Sequence, residues 1–176
     1  MKKSAIIILL AISILCSCKK SDTINTSGTV TIDNTLFGSG PYYANGFSFS
    51  MAKKVSTLAN PGPDVVIYVN IDNPPNRLTL QANNLKPSFY KLGDYPDSQS
   101  AVSAYNDLKT VGVYQWEEMA DPIKENQVWV YRTGTDSYAK FRIISTVNEE
   151  RNNLPFGECT FEWLFQPDGS LTFPGK

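Results

Sequence analysis

With no histidine anywhere in the chain, the commonest routes to a catalytic or metal site are closed. Ser-His and Cys-His nucleophile pairs need an imidazole as base, and zinc sites of mixed His/Cys type lose half their ligands. Carboxylates remain, but Glu117-Glu118 and Glu149-Glu150 are adjacent pairs. Neighbours on a strand point to opposite faces, so they read as solvated charges and not as an acid/base couple. Asp72-Asn73 and Asp168-Gly169 are turn chemistry without the ligand spacing of a calcium loop. These residues predict a protein that is not an enzyme.

The cysteines say more about location. Lys2 and Lys3 precede a run from Ala5 to Leu15 that is apolar but for Ser13. The run is too short for a bilayer, which needs about 20 residues, and it has no polar face of the kind a core helix shows. It is followed by Leu15-Cys16-Ser17-Cys18, which resembles the lipobox of bacterial lipoproteins: an aliphatic residue, two small ones, then the acylated cysteine. Cys16 fits worse, because Leu15 would stand where a small residue belongs. The resemblance implies export, cleavage before Cys18, and diacylglyceryl and amide-linked chains on that cysteine, enough for stable membrane anchoring. Lys19 is not the aspartate that retains lipoproteins at the inner membrane, which points to the outer membrane. The face is left open, since Lys19-Lys20-Ser21-Asp22 carries one acid only.

Three parts follow: a signal over 1–17, a lipidated tether over 18–28 rich in Ser, Thr, Asn and Asp, and one β-rich domain over 29–176. Loss of Lys2 and Lys3 with the signal takes the 16 basic residues to 14 against 17 acidic ones, a net charge of −3. That is no basis for binding nucleic acid. Of the cysteines then left, Cys18 is acylated in this reading and Cys159 has no partner for an internal disulfide.

The elements are mostly strands. Thr29–Asp33 is a short β-type run, and Phe47-Ser48-Phe49-Ser50-Met51 alternates with Phe47, Phe49 and Met51 on one face. Val65–Ile71 is a continuous β-branched and aromatic run, expected to be a strand covered on both sides. It is bounded by Pro61-Gly62-Pro63 and by Asn73-Pro74-Pro75-Asn76. Arg77–Ala82 follows as its partner. Lys86–Gln99, interrupted by Pro87, Gly93 and Pro96, reads as an extended loop. Ala101, Ala104, Tyr105 and Leu108 predict one short helix within Ser98–Lys109, with Ser98 or Ser100 as N-cap. Val128–Thr133 and Tyr138–Val147 flank a turn at Gly134-Thr135-Asp136-Ser137. Glu158–Gln166 places Cys159, Phe161, Trp163 and Phe165 on one face, with Leu164 out of phase, so Cys159 is expected to be a buried apolar group. Ser170–Phe173 is expected to form a last strand. The fold class is all-β: a two-layer antiparallel sheet domain with one short helix.

Gln127-Val128-Trp129-Val130-Tyr131-Arg132-Thr133 with Tyr138-Ala139-Lys140-Phe141-Arg142-Ile143 resembles the hairpin of HmuY-type haem-binding lipoproteins. Thr160-Phe161-Glu162-Trp163 with Gln166-Pro167-Asp168-Gly169-Ser170 is similar to that family's closing strand pair, and Phe47-Ser48-Phe49-Ser50 with Lys54-Val55 to its opening strand. The likeness covers the C-terminal third and the opening strand. Where the family carries a Trp-Asp pair, Pro63-Asp64-Val65 keeps only the aspartate. The resemblance implies an HmuY-like fold, haem as cofactor or cargo, and an outer-membrane transporter as partner. The family's best-known members hold haem with two histidines, and none is present here. A thioether or a phenolate can also ligate haem iron. Met119, in Tyr114-Gln115-Trp116-Glu117-Glu118-Met119, stands roughly where the family places a ligand-bearing segment, so Met119, Trp116 and Tyr114 are the candidate ligand-binding residues. Met51 and Met119 each have a plain alternative as core filler, as Tyr42, Tyr43, Tyr114 and Tyr138 do as core or rim aromatics. Two further functions stay open: a glycan-binding surface using Trp116, Trp129, Tyr42 and Tyr43 for stacking, and a protein-binding or assembly lipoprotein with no haem activity.

Cys18→Ser is expected to abolish incorporation of labelled palmitate in the native host and leave an uncut precursor, whereas Cys16→Ser changes neither. Labelling that survives Cys18→Ser would contradict the anchor assignment.

Overall fold

The computed structural model describes residues 25–40, 43–72, 74–84 and 86–174. The signal segment, Cys18, the tether as far as residue 24, and Tyr42 lie outside the described residues. Two five-stranded antiparallel sheets face each other. The first takes β1 (Ser27–Asp33), β6 (Phe89–Asp94), β8 (Gln127–Arg132), β9 (Tyr138–Arg151) and β10 (Leu154–Gln166), in the spatial order β1-β10-β9-β8-β6. The second takes β2 (Asn45–Ser48), β3 (Lys53–Ser56), β4 (Val65–Asn70), β5 (Arg77–Ala82) and β7 (Met119–Ala120), in the order β3-β2-β4-β5-β7. One helix, α1 (Ser98–Asp107), covers the outer face of the first sheet. The all-β, two-layer fold with a single short helix is therefore the architecture of the described chain. Every described strand, the described helix and both cores lie within residues 27–173, so the chain from Lys19 onward holds all of the described elements.

Period-2 alternation builds the main core. Ala139, Phe141 and Ile143 of β9, Cys159, Phe161, Trp163 and Phe165 of β10, and Trp129 and Tyr131 of β8 all point inward. They meet Ile67 and Val69 of β4 and Leu78 and Leu80 of β5. Phe47 and Phe49 join the layers: Phe47 lies 5.1 Å from Trp163 and 5.8 Å from Phe161, and Phe49 lies 5.4 Å from Tyr131, between ring centroids. Leu164 is out of phase for a different reason. With Val128 and Val130 it faces outward into a second core under α1, made with Ala101, Tyr105, Val111 and Phe173. Lys140 shares that outer face. Its ammonium donates to the carbonyls of Tyr105 and Leu108 at 2.7 Å each, satisfying the C-terminal end of α1 with a cation where the helix dipole favours one.

Several expectations are corrected. The alternation around Phe49 does not continue as strand: β2 ends at Ser48, and residues 49–52 turn into β3, with Ala52 at φ 52. The Asp64 carboxylate accepts from the Phe49 N–H at 2.8 Å and anchors that turn. β4 is covered on one side only, since Val65, Ile67 and Val69 are buried while Tyr68 is 42% exposed. The stretch taken as a loop contains β6, which pairs with β8 through a register shift between Lys91 and Gly93. Phe89 is fully buried and outweighs the flanking prolines. The N-cap of α1 is Asp97, which accepts from the Ser100 N–H. Ser170–Phe173 forms no strand and makes one bridge, Thr110 to Thr172.

The hairpin of β9 and β10 is also longer than its alternating parts. It runs on to a two-residue turn, Asn152-Asn153, both at positive φ (51 and 61), as a tight hairpin of this hand requires. At fourteen residues β9 spans about 45 Å, so the hairpin tip overhangs the second sheet. Gly157 fixes its position. A Cβ there would stand 2.3 Å from Leu78 Cδ1, 2.7 Å from Val69 Cγ2 and 3.3 Å from Ile67 Cγ2. Leu78 can turn aside, but the β-branched pair is stiff. Gly157→Val is expected to lower unfolding free energy by about 1–3 kcal/mol, read as a lower urea midpoint with an unchanged slope. An unchanged midpoint would show that the hairpin does not depend on this close approach.

Candidate functional site

Tyr114 and Trp116 are brought together, but Met119 is not with them. Tyr114 stacks on Tyr90 with centroids 3.8 Å apart and planes within 3°, and Trp116 meets Tyr114 edge-on at 5.6 Å. Trp116 also lies against Tyr138 at 6.3 Å and under the Arg132 guanidinium at 4.8 Å. This half-buried ladder packs on the outer face of the first sheet as the rim of the second core. The chain then crosses at Glu117, which bridges to Phe89, and Met119 enters β7 at the edge of the second sheet, paired with Gln81. The Met119 sulfur accepts from the Gln81 amide at 3.5 Å. It lines an open cleft of about 280 Å³ with Gln81, Ala82, Lys86 and Glu118, a mixed polar and apolar setting.

The other candidate residues are placed as plainly. Trp129 is fully buried, its indole N–H donating to Gln127 Oε1 at 3.0 Å, so it offers no stacking surface. Tyr43 is exposed at 39% and packs edge-on against Phe37. Met51 sits half-buried in the turn between β2 and β3. Cys159 is a free thiol with no exposure, and burial pushes its titration far above the usual thiol range.

An apolar cleft lies at the tip of the β9–β10 hairpin. The tip residues Arg151, Leu154, Pro155 and Phe156 form one wall; Asn34, Thr35, Leu36 and Ala44 form another; Ile67, Tyr68, Val69 and Ile71 form the floor. Its volume is about 570 Å³, within the usual range for small-molecule sites. The walls are held apart by backbone pairing. β2 meets β4 only at Phe47 and Val65, then diverges so that Ala44 bridges to Leu36 instead. Asn34 clamps the hairpin: its N–H donates to the Gly157 carbonyl at 3.1 Å, its amide donates to the Pro155 carbonyl at 3.0 Å, and its Oδ1 accepts from the Gly157 N–H at 2.9 Å. Of these residues Leu36, Tyr68, Ile71 and Leu154 are between 42% and 67% exposed. Large apolar side chains left this open and contiguous mark an interaction site more often than an ordinary surface.

The groups with displaced titration lie elsewhere and do structural work. Asp64 is held above its ordinary value by desolvation, offset in part by the Phe49 N–H, and its carbonyl accepts from the Tyr131 hydroxyl at 2.9 Å. Asp64 thus closes a turn and ties β8 to the start of β4. Burial, with Asp64 nearby, raises the Tyr131 phenol far out of its normal range. Among the described residues, no group of three or more His, Cys, Asp and Glu is arranged to hold a metal ion. No described helix is long and apolar enough to cross a membrane. No protein-family model matches the chain, and no curated protein matches it.

The cleft residues were not among those singled out by sequence. The one local signal was Asn152-Asn153 followed by Leu154-Pro155-Phe156: a hairpin turn carrying an apolar triplet that has no inward partner strand. The floor depends on Tyr68 and Ile71 being uncovered, which the sequence of β4 alone does not specify.

Proposed function

We propose that this chain is a lipid-anchored, outer-membrane binding protein that captures a small apolar ligand in the hairpin-tip cleft and passes it on for uptake. Haem is the ligand that the resemblance to HmuY-type lipoproteins suggests, and an outer-membrane transporter the recipient. The observation that carries the reading is the cleft itself: about 570 Å³, floored by Ile67, Val69 and Ile71 and roofed by Leu154 and Phe156. The lipobox at Cys18 supports a place at the membrane. Binding is favoured over catalysis because the chain lacks an imidazole and the cleft is lined by no nucleophile–base pair. If haem is the ligand, Tyr68 is the lining side chain of a type known to ligate haem iron, while Met119, Trp116 and Tyr114 lie outside the cleft.

The test is titration of the chain from Lys19 with ferric and ferrous haem, and separately with a neutral naphthylamine dye. Saturable binding is expected. Leu154→Asp and Ile71→Asp should weaken it about tenfold or more, about 1.4 kcal/mol, and Met119→Ala should leave it unchanged. No Soret shift in either redox state, with dye uptake intact, would remove haem and keep apolar capture. Failure of both would overturn the proposal.

A further inference from the structure

Among the described residues lining the cleft, Arg151 is the one that is charged. Its guanidinium is pinned at the mouth in two ways. It lies over the Phe156 ring, 3.4 Å from the centroid, and its Nε donates to the Glu149 carboxylate. The ion pair is surface-exposed on both sides, at 51% and 48%, so it contributes little to stability, and its effect is to orient. With Nε engaged, the Nη edge of the guanidinium is the part left to make a forked contact with a carboxylate. Tyr68 is also among the lining residues. The walls otherwise offer aliphatic and aromatic carbon, Thr35, and the Asn34 amide, whose hydrogen bonds are taken by the hairpin backbone.

An apolar body whose lining carries one guanidinium, with its Glu149 counter-ion outside the lining, is complementary to a molecule of matching polarity. Resting on the assignment of the cleft as a ligand site, we infer that the ligand is a carboxylate-bearing apolar molecule: its hydrocarbon or ring lies between β4 and the hairpin tip, and its carboxylate meets Arg151. Fatty acids and porphyrins share this chemistry. A carboxylate of ordinary acidity is ionised at neutral pH and a guanidinium is always charged, so the preference belongs to the whole range above about pH 6.

The test displaces a bound neutral naphthylamine dye from the chain beginning at Lys19. One arm compares laurate with dodecanol, the other metal-free protoporphyrin with its dimethyl ester. In at least one arm the acid is expected to displace dye at about tenfold lower concentration than its neutral partner, the scale of one charge-assisted fork. Arg151→Gln should bring the acid to the level of the neutral molecule, each read relative to dye binding by the same variant. Arg151→Lys should restore part of the difference. Raising salt from roughly 0.05 to 0.5 M should weaken only the acid. The arm that shows the preference identifies the body of the ligand. Equal displacement by acid and neutral partner in both arms, or a preference that survives Arg151→Gln, would overturn the inference with the cleft assignment intact. Failure of the dye to bind would overturn the cleft assignment and the inference with it.

Discussion

At Gly157 the backbone of β10 lies directly on the methyl groups of Ile67, Val69 and Leu78, closer than any side chain on β10 would permit. The rest of the arrangement follows from that approach. It lets one hairpin belong to two environments. The C-terminal half of β10 gives Cys159, Phe161, Trp163 and Phe165 to the main core, while residues 154–156 project beyond β4. The three Asn34 hydrogen bonds hold that projection in place, and the space beneath it is the cleft. Backbone contact at one residue and a side-chain clamp at another are stiffer supports than a loop would supply, so the cavity is preformed.

Much of the fold was legible because its signals are local. The alternation of β10, the turn after β8 and the helical spacing of Ala101, Ala104, Tyr105 and Leu108 each encode an element within a dozen residues. Errors arose where tertiary context decides. Val65–Ile71 and Val128–Tyr131 are both continuous apolar runs, yet the first is covered on one side and the second on both, because α1 packs over β8 and, among the described residues, nothing comparable covers β4. β6 was hidden by prolines and glycine that flank or kink an edge strand, where they are tolerated. Leu164 looked like a break in the pattern only because a second core lay out of sight on the other face of the sheet.

The candidate site was far less legible than the fold. Sequence reasoning went to residues with distinctive chemistry, Met119, Trp116 and Tyr114. The structure uses the two aromatics to roof the second core and sets the methionine on the edge of the opposite sheet. The cleft is built instead from Leu, Ile, Pro and Phe, whose role depends on being left uncovered, a property of the assembled sheets and not of any short segment. The same separation holds for the ionisable groups. Burial raises the titration of Tyr105, Tyr131 and Cys159 furthest, and all three serve the scaffold, while Arg151 is the charged side chain lining the cleft.

The central claim is that ligand is held at the hairpin tip and not beside the aromatic ladder or Met119. Hydrogen–deuterium exchange of the chain from Lys19, with and without a saturating bound ligand, separates these places directly, because they lie on peptides that do not overlap. Added protection is expected over residues 34–36, 67–71 and 151–156, with residues 114–119 unchanged. Protection confined to 114–119 would contradict it.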